Sequence, residues 1–326
     1  MKRHLTSQFA AALFGICSVL AFDTASAQAY PNKPLRLVVP WPAGGITDSA
    51  SRMLAQVLAT RLGQPIVVEN RPGANGQIGA DNVAKSAPDG YSLFVASAEP
   101  LAINPHVYKS LPYEPVQDFV GITPFAINPF SLVSRPDFPA KSVNDLVAAA
   151  KQNPGKYTYA SWGIGSTSQI GMEMVKKQAG IDVLHVPFTG EAPAVTALMS
   201  GQVDLMVLPA GSAARQAGKV KVFAVTVPER FFVLPGTPSL KEEGFANINV
   251  FNWFGVVAPA KTPAAIVQRL AEEISATLNS EELKSKYRGM GLDVHPPMSQ
   301  PDFNRFIASE VQRWGEVIKN ANIRLD

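Results

Sequence analysis

Two segments rich in glycine and hydroxyl side chains hold the groups most able to do chemistry in this 326-residue chain. The first runs from Trp41 to Asp48, from the end of a β-like run through Gly44 and Gly45 into a helical pattern. Glycines let backbone N–H groups approach a ligand, and a helix start favours an anion by about 0.3–1 kcal/mol. A purely structural turn, capped by Thr47 or Asp48, fits the same residues.

The second segment, from Ala160 to Gln169, also lies between a strand pattern and a helix pattern. It is not a dinucleotide fingerprint, because Ser168 stands where the third glycine is needed, three residues after Gly165. It also lacks the Gly-x-Ser-x-Gly sequence of a nucleophile elbow. Two interpretations remain, namely a neutral nest of donors that holds a carboxylate and a helix start capped by serine.

A third segment, from Val186 to Pro193, is another strand end that leads into a helix. In open α/β sheets, ligands bind at the carboxyl ends of the strands. Three such turns together are therefore more informative than any one of them, and they indicate a single ligand cleft.

We expect no catalytic residue, no metal and no cofactor. The histidines beyond the N-terminal segment, His106, His185 and His295, are widely spaced and show no ligand-like pairing. A triad of Ser166, His185 and Asp204 can be written down, but nothing in the spacing favours it. A single cysteine excludes a disulfide scaffold and a cysteine-based metal centre.

The composition is that of a compact globular chain, with 46% hydrophobic and 17% charged residues. Its length favours two domains over one. The formal net charge of +3 gives no electrostatic footprint for nucleic acid or for an anionic membrane.

The first 27 residues predict an export signal. Lys2 and Arg3 form a basic start, Leu13–Phe22 is a short apolar run, and Ala25–Ala27 supplies a cleavage site. The apolar run is too short to span a membrane. The context of Cys17 fits lipid attachment poorly, so we expect a cysteine-free periplasmic protein, although a lipidated Cys17 stays open.

Behind these segments, β-rich and helical patterns alternate, which predicts α/β layers around mainly parallel sheets. Strands are predicted at 35–39, 66–68, 91–96, 125–133, 157–161, 183–186, 203–208, 220–227 and 251–257. Helices are predicted at 50–62, 76–85, 166–179 and 194–200, after the cap Ser142, and three times after residue 262.

Two proline-containing stretches, 112–139 and 228–250, interrupt this alternation. They predict two connections between a surrounding lobe and an inserted one. We place the first lobe at 28–126 plus 250–326 and the second at 127–249.

Short segments from Tyr30 to nearly the C-terminus match a known family: 42–45 with 47–48, 69–74, 87–91, 103–105, 111–113, 118–119, 159–161, 165–166, 201–204 and 253–255. Together they resemble the Bug-type periplasmic solute-binding receptors of tripartite tricarboxylate transporters. The resemblance implies an α/β, two-lobed periplasmic-binding-protein fold, type II-like, with one lobe inserted in the other. It also implies a cleft that closes on a small organic carboxylate, held by backbone N–H groups and hydroxyls.

The resemblance further implies delivery of the ligand to the membrane subunits of a tripartite transporter, and we expect a monomer that binds no nucleic acid. With the three turns, it selects as ligand-binding residues Trp41, Ala43, Gly44, Gly45, Ile46, Thr47, Asp48, Ser161, Trp162, Gly165, Ser166, Thr167, Gln169, Phe188, Thr189, Gly190, Glu191 and Leu208.

Several of these positions depart from the family's usual residues. Isoleucine replaces glycine at Ile46, leucine replaces aspartate at Leu208, and Trp41 and Trp162 stand where smaller side chains are usual. Large flat side chains suit a ring, so we predict an aromatic dicarboxylate such as terephthalate. Alternatives left open are an aliphatic di- or tricarboxylate, an amino acid partnered by Glu191, a secreted serine hydrolase and a sensory receptor.

Overall fold

The computed structural model describes residues 30–321 and residue 323. The predicted export signal at 1–27, including Cys17, lies outside these described residues. Between residues 30 and 321, no helix is both long enough and apolar enough to cross a bilayer.

Strands and helices alternate through most of the chain. The elements are β1 (Leu35–Val39), α1 (Ile46–Leu62), β2 (Ile66–Asn70), α2 (Gln77–Ala84), β3 (Ser92–Ala96), α3 (Asn104–Val107), β4 (Phe119–Ser134), α4 (Val143–Gln152), β5 (Thr158–Ser161), α5 (Thr167–Ala179), β6 (Leu184–Pro187), α6 (Glu191–Met199), β7 (Leu205–Pro209), α7 (Ala210–Arg215), β8 (Lys221–Val225), β9 (Phe251–Pro259), α8 (Ala264–Leu278), α9 (Glu281–Met290), β10 (Asp293–Val294) and α10 (Gln300–Ala321). A 3-10 turn at Ala74–Gly76 and a π-helical segment at Glu99–Ile103 complete the order.

Helix α1 shows how the local sequence builds these elements. Ala50, Leu54 and Leu58 recur every four residues and are buried in one apolar cluster with β1. Gly63 ends the helix with φ +66°, a conformation that glycine adopts without strain. The predicted cap Ser142 is confirmed, because its hydroxyl accepts the N–H of Asp145 at 3.1 Å.

The sheet is parallel at its two ends and antiparallel in its centre. The strand order is β2-β1-β3-β9-β4-β7-β5-β6, with β8 and β10 also paired to β4. Strand β1 runs parallel to β2 and β3, and β5 runs parallel to β6 and β7, whereas every pairing of β4 and β9 is antiparallel. The expectation of mainly parallel sheets is therefore wrong, because two strands without crossover helices occupy the centre.

Strands β4 and β9 join two halves of the molecule, which we call lobe 1 and lobe 2. Residues 119–129 of β4 pair with β9 in lobe 1, and residues 130–134 pair with β7 and β8 in lobe 2. Lobe 1 also contains β1–β3, β10, α1–α3 and α8–α10, and lobe 2 contains β5–β8 and α4–α7. The boundaries predicted at 126/127 and 249/250 stay a prediction.

Helix α10 covers the lobe 1 side of β9, and Gly255 makes this close approach possible. A Cβ at Gly255 would overlap the ring of Phe303, which is fully buried and lies edge-on to Trp253. Glycine at this position therefore lets α10 lie directly on the strand that links the lobes.

We expect Gly255→Ala to lower the free energy of unfolding by about 1–3 kcal/mol, because the buried methyl group forces Phe303 out of place. The matched control is Gly289→Ala in α9, where an added Cβ meets no atom within 4 Å. That change should raise stability by about 0.5–1 kcal/mol. Urea unfolding of both variants measures the difference, and a neutral Gly255→Ala would contradict the packing argument.

Candidate functional site

The first segment leaves β1 at Val39 and enters α1 at Ile46. Gly45 precedes the helix and offers no side chain to cap it, so the alternative cap at Thr47 or Asp48 is wrong. These two residues already lie inside the first helical turn, where both are buried. The helix start is therefore left uncapped by any side chain.

Asp48 holds the shape of this loop from inside. Its carboxylate accepts the N–H of Gly44 at 2.9 Å, Nδ2 of Asn70 at 2.8 Å and Nε of Arg52 at 3.0 Å. Burial alone would raise the pKa of Asp48, but the hydrogen bonds from Arg52, Gly44 and Asn70 outweigh it and lower that pKa. Arg52 is thus committed to a structural partner.

The first turn of α1 presents unpaired donors. The backbone N–H groups of Ile46, Thr47 and Asp48 donate to no acceptor among the residues that the structure describes. Residues 43–45 in front of them are exposed. The arrangement therefore keeps three N–H groups and the positive end of the helix dipole available to an anion.

The second segment folds into a serine-capped helix start, one of its two predicted interpretations. The Ser166 hydroxyl accepts the N–H of Gln169 at 3.3 Å and donates to the Gly163 carbonyl at 2.6 Å. The side chain of Gln169 in turn accepts the N–H of Gly165 at 2.7 Å through Oε1. These bonds fold the loop back onto α5.

The cap does not use every donor of α5. The Thr167 hydroxyl donates to Glu99 at 2.5 Å, and the Ser168 hydroxyl donates to the Val207 carbonyl at 2.6 Å. The backbone N–H groups of Thr167 and Ser168 have no acceptor within the described part of the chain. Helix α5 therefore also begins with N–H groups that lack a partner. The serine cap is confirmed, and the nest that holds a carboxylate stays a prediction.

A relay of hydrogen bonds behind this loop is centred on His185. Because Oε1 of Gln169 accepts the Gly165 N–H, its Nε2 faces Nδ1 of His185 at 3.2 Å and makes that nitrogen the acceptor. The other ring nitrogen, Nε2, then carries the proton and donates to the Ser161 hydroxyl at 2.7 Å. Ser161 donates onward to the Gly163 carbonyl at 3.0 Å.

The triad of Ser166, His185 and Asp204 does not form. Asp204 instead binds Nε of Arg135 at 2.9 Å and the N–H of Thr158 at 2.9 Å, at the start of β7. His185 contacts Ser161 and not Ser166, and it donates its proton to the Ser161 hydroxyl. A general base would instead accept the proton of the serine hydroxyl. The relay is therefore structural.

The third segment lies beside the second. The N–H of Phe188 donates to the Ser161 carbonyl at 2.9 Å, which joins the two turns. Thr189 is exposed, and Gly190 starts α6 with φ +127°. That backbone conformation strains any residue with a side chain, so glycine sets the direction of α6.

Glu191 belongs to a polar cluster that reaches lobe 1. Its Oε1 accepts the Ser212 hydroxyl at 2.5 Å, and Arg215 donates both to that hydroxyl at 2.9 Å and to the Met290 carbonyl of lobe 1 at 3.3 Å. Burial raises the pKa of Glu191, although the hydrogen bond from Ser212 and the charge of Arg215 oppose the rise. Nearby, Gly211 lies so close to α9 that a Cβ would stand 2.7 Å from the Met290 carbonyl oxygen.

The predicted aromatic residues occupy different settings. Trp162 is half-buried and stacks on Phe130, with ring centroids 5.7 Å apart and an interplanar angle of 25°. Trp41 is half-buried against the lobe 1 core, and its carbonyl accepts Nδ2 of Asn70. Leu208 is fully buried in the lobe 2 core, and a ligand contact there stays a prediction.

The 3-10 turn at Ala74–Gly76 brings the first and second segments together. A Cβ at Gly76 would stand 3.0 Å from the Pro40 side chain, directly before the first segment. On the other side, Nδ2 of Asn75 donates to the Ile164 carbonyl at 3.2 Å. The 3-10 turn therefore contacts both the residue before the first segment and the loop before α5.

Sequence reasoning missed Asn75, Glu99 and Arg215 as residues that join the lobes, and Ser212 as the residue that links Arg215 to Glu191 within lobe 2. For Asn75 a signal existed, because an asparagine directly before a glycine is suited to the left-handed conformation it adopts, with φ +49°. The other three contact partners distant in sequence, which no local pattern reveals.

Two lobes, two linking strands and paired helix starts at the lobe boundary are the architecture of a periplasmic solute-binding receptor. Residues 50–323 match the family described as tripartite tricarboxylate transporter family receptor. The chain belongs to this receptor family, and both the resemblance drawn from its sequence and the predicted fold class are confirmed.

Relatives and solved structures match over nearly the whole length. A UPF0065 protein of Bordetella pertussis is 32% identical and covers 95% of this chain and 96% of its own. BugT of the same organism is 34% identical, with coverages of 92% and 93%.

Among solved structures, R. palustris Rpa4515 with adipate gives a TM-score of 0.83 at 33% identity, covering 90% of this chain and 99% of its own. The periplasmic binding protein BugD gives 0.80 at 34%, with coverages of 90% and 99%. MatC of Rhodopseudomonas palustris with bound malate gives 0.79 at 31%, with 89% and 100%.

The relay predicts a pH dependence of stability. Burial lowers the pKa of His185 from 6.5 to about 4; Glu173 opposes this shift and Lys176 reinforces it. The unfolded chain thus binds a proton that the folded chain excludes until about pH 4. The free energy of unfolding should therefore fall as the pH drops through this interval.

Urea unfolding of wild type and His185→Gln, at about pH 7 and about pH 5, measures this effect. The loss of stability between the two pH values should be smaller in the variant. His295, whose pKa burial also lowers, is present in both proteins and cancels in the comparison. Equal losses would show that His185 is not the group responsible.

Proposed function

We propose that this protein captures a small organic carboxylate in the cleft between its lobes and delivers it to the membrane subunits of a tripartite transporter. The observation that carries the proposal is the pair of helix starts, α1 in lobe 1 and α5 in lobe 2, whose first N–H groups find no acceptor among the described residues and whose preceding loops both adjoin the 3-10 turn. The related structures with adipate and with malate support the same class of ligand. The predicted export signal at residues 1–27 would place the protein in the periplasm.

The proposed binding uses backbone donors and helix dipoles in place of cationic side chains. Arg52 of α1 is bound to Asp48, and Arg215, the last residue of α7, is bound to Ser212 and Met290. Micromolar affinity needs about −8 kcal/mol. Charge-assisted hydrogen bonds contribute about 1.5–3 kcal/mol each. The sum over the several donors of both helix starts therefore reaches this magnitude, and burial of the ligand offsets the entropic cost of ordering the ligand and the loops.

We further propose that the ligand is an aromatic carboxylate, with terephthalate as the representative. Phe130 is fully buried beneath the half-buried Trp162, so the stack supports one face of the indole and leaves area for a ligand ring. Phe188 lies in the adjoining turn, and Trp41 in the facing one. These flat side chains favour a planar ligand over a flexible one.

An amino-acid ligand is the second candidate, and Glu191 favours it. Within the described part of the chain, only one of its carboxylate oxygens has a hydrogen-bond partner, Ser212, so the other can accept a bond from an ammonium group. The same carboxylate disfavours a second anionic group nearby.

A calorimetric panel of terephthalate, benzoate, adipate, malate, citrate and aspartate tests the proposal on wild type and Trp162→Leu. We expect terephthalate to bind wild type most tightly, and Trp162→Leu to weaken it by about tenfold or more through loss of the stacked ring. Any aliphatic acid that binds should change by less than about threefold. If adipate or aspartate binds most tightly, the ligand is an aliphatic acid or an amino acid and not an aromatic carboxylate. If no compound of the panel binds, the proposal of carboxylate capture is refuted.

The helix start can be tested separately with a charged and a neutral isostere. Ile46→Asp places a carboxylate among the free N–H groups of α1, and Ile46→Asn has the same shape without the charge. We expect Asp to weaken ligand binding by about tenfold relative to Asn through repulsion of the anion. The melting temperature of Ile46→Asp should equal or exceed that of Ile46→Asn, because a negative charge at a helix start is stabilised by the helix dipole. Equal ligand affinities of Ile46→Asp and Ile46→Asn would show that the ligand anion does not bind at the start of α1.

A further inference from the structure

A buried carboxylate, Glu99, lies between the lobes and was not selected as a site residue. It is 1% exposed and opens the π-helical segment that follows β3. It accepts hydrogen bonds from the Ser97 hydroxyl at 3.2 Å, Nδ2 of Asn252 at 2.9 Å and the Thr167 hydroxyl at 2.5 Å. The first two donors belong to lobe 1, and the third belongs to lobe 2.

The orientation of these donors is determined by their own partners. Oδ1 of Asn252 accepts the N–H groups of Ala98 at 3.2 Å and Trp253 at 3.0 Å, so its Nδ2 must face Glu99. Among the described residues, no lysine, arginine or histidine forms an ion pair with Glu99. Three neutral donors, two hydroxyls and one side-chain amide, therefore satisfy this buried carboxyl group.

Glu99 lies beside both linking strands, the 3-10 turn and the start of α5. Asn252 is the second residue of β9 and pairs with Asn128 of β4, so both linking strands pass beside the carboxyl group. Pro100 packs on the 3-10 turn, where a Cβ at Gly76 would stand 3.4 Å from its ring. Thr167 is the first residue of α5, and its N–H and that of Ser168 have no acceptor among the described residues.

We propose that Glu99 is a positioning residue that sets the angle between the lobes by holding the first turn of α5 through Thr167. The inference rests on the proposed function, since the group it positions is the proposed anion-binding helix start. Glu99 does not touch the ligand. Its bond to Thr167 keeps the free N–H groups of α5 directed at those of α1, so that one ligand reaches both.

The test compares substitutions on the two sides of the same carboxylate. Thr167→Val removes the bond between lobes without changing shape, and Thr167→Ser retains the hydroxyl. Ser97→Ala removes a bond to Glu99 that lies within lobe 1. Thr277→Val makes the same chemical change at a buried threonine of α8, whose hydroxyl bonds to Glu273 in its own helix.

Two readouts are measured on the full exported chain, the dissociation constant for the tightest carboxylate of the panel and the radius of gyration without ligand. We expect Thr167→Val to weaken binding by about fivefold or more and to enlarge the unliganded radius. Thr167→Ser, which keeps the hydroxyl, should restore most of the affinity that Thr167→Val loses. Ser97→Ala and Thr277→Val should bind within about twofold of wild type, even where their melting temperatures fall.

The inference is overturned if Thr167→Val matches wild type in both radius and affinity, or if Ser97→Ala weakens binding equally. The first result shows that the bond sets no angle, and the second shows that general loss of stability is the cause. If wild type binds no carboxylate, the proposed function fails, while the unliganded radius of Thr167→Val still decides whether Glu99 sets the lobe angle.

Discussion

A helix that starts at the end of a strand leaves its first N–H groups without partners, and the proposed carboxylate site depends on keeping them so. At α1 the residue before the helix is Gly45, which cannot cap, and the nearby Asp48 turns its carboxylate back onto the loop. At α5 the cap Ser166 satisfies only the third N–H group, and Gln169 satisfies the loop in front of the helix. The polar side chains at both starts therefore stabilise the loops and leave the donors free.

The two donor groups are useful only if they stay aligned, and the contacts between the lobes serve that purpose. Asn75 reaches the second segment from lobe 1, Arg215 reaches α9 from lobe 2, and Glu99 connects α5 to the linking strands. Each contact joins residues far apart in sequence. Near-neutral net charge is consistent with the proposed site, in which backbone groups would supply the positive potential for a carboxylate.

Most elements were predictable because their signals are local. The run 35–39, the helix face of Ala50, Leu54 and Leu58, and the cap Ser142 were read from spacing and residue type alone. The direction of the central strands was not, since β4 and β9 pair with partners that no short pattern identifies. The same limit applies to the triad, because His185 and Asp204 obtain their partners from tertiary packing.

Strand β4 is 16 residues long and is shared by both lobes without a break. Its ladder with β9 shifts register twice, between Gly121 and Thr123 and between Pro124 and Ala126, and its ladder with β8 shifts between Leu132 and Val133. Such irregularities bend and twist a strand locally. The bends of β4 are thus spread along its length, and a change in the angle between the lobes would be divided among them. The bending stiffness of β4 would then contribute to the free energy of closing the lobes on a ligand.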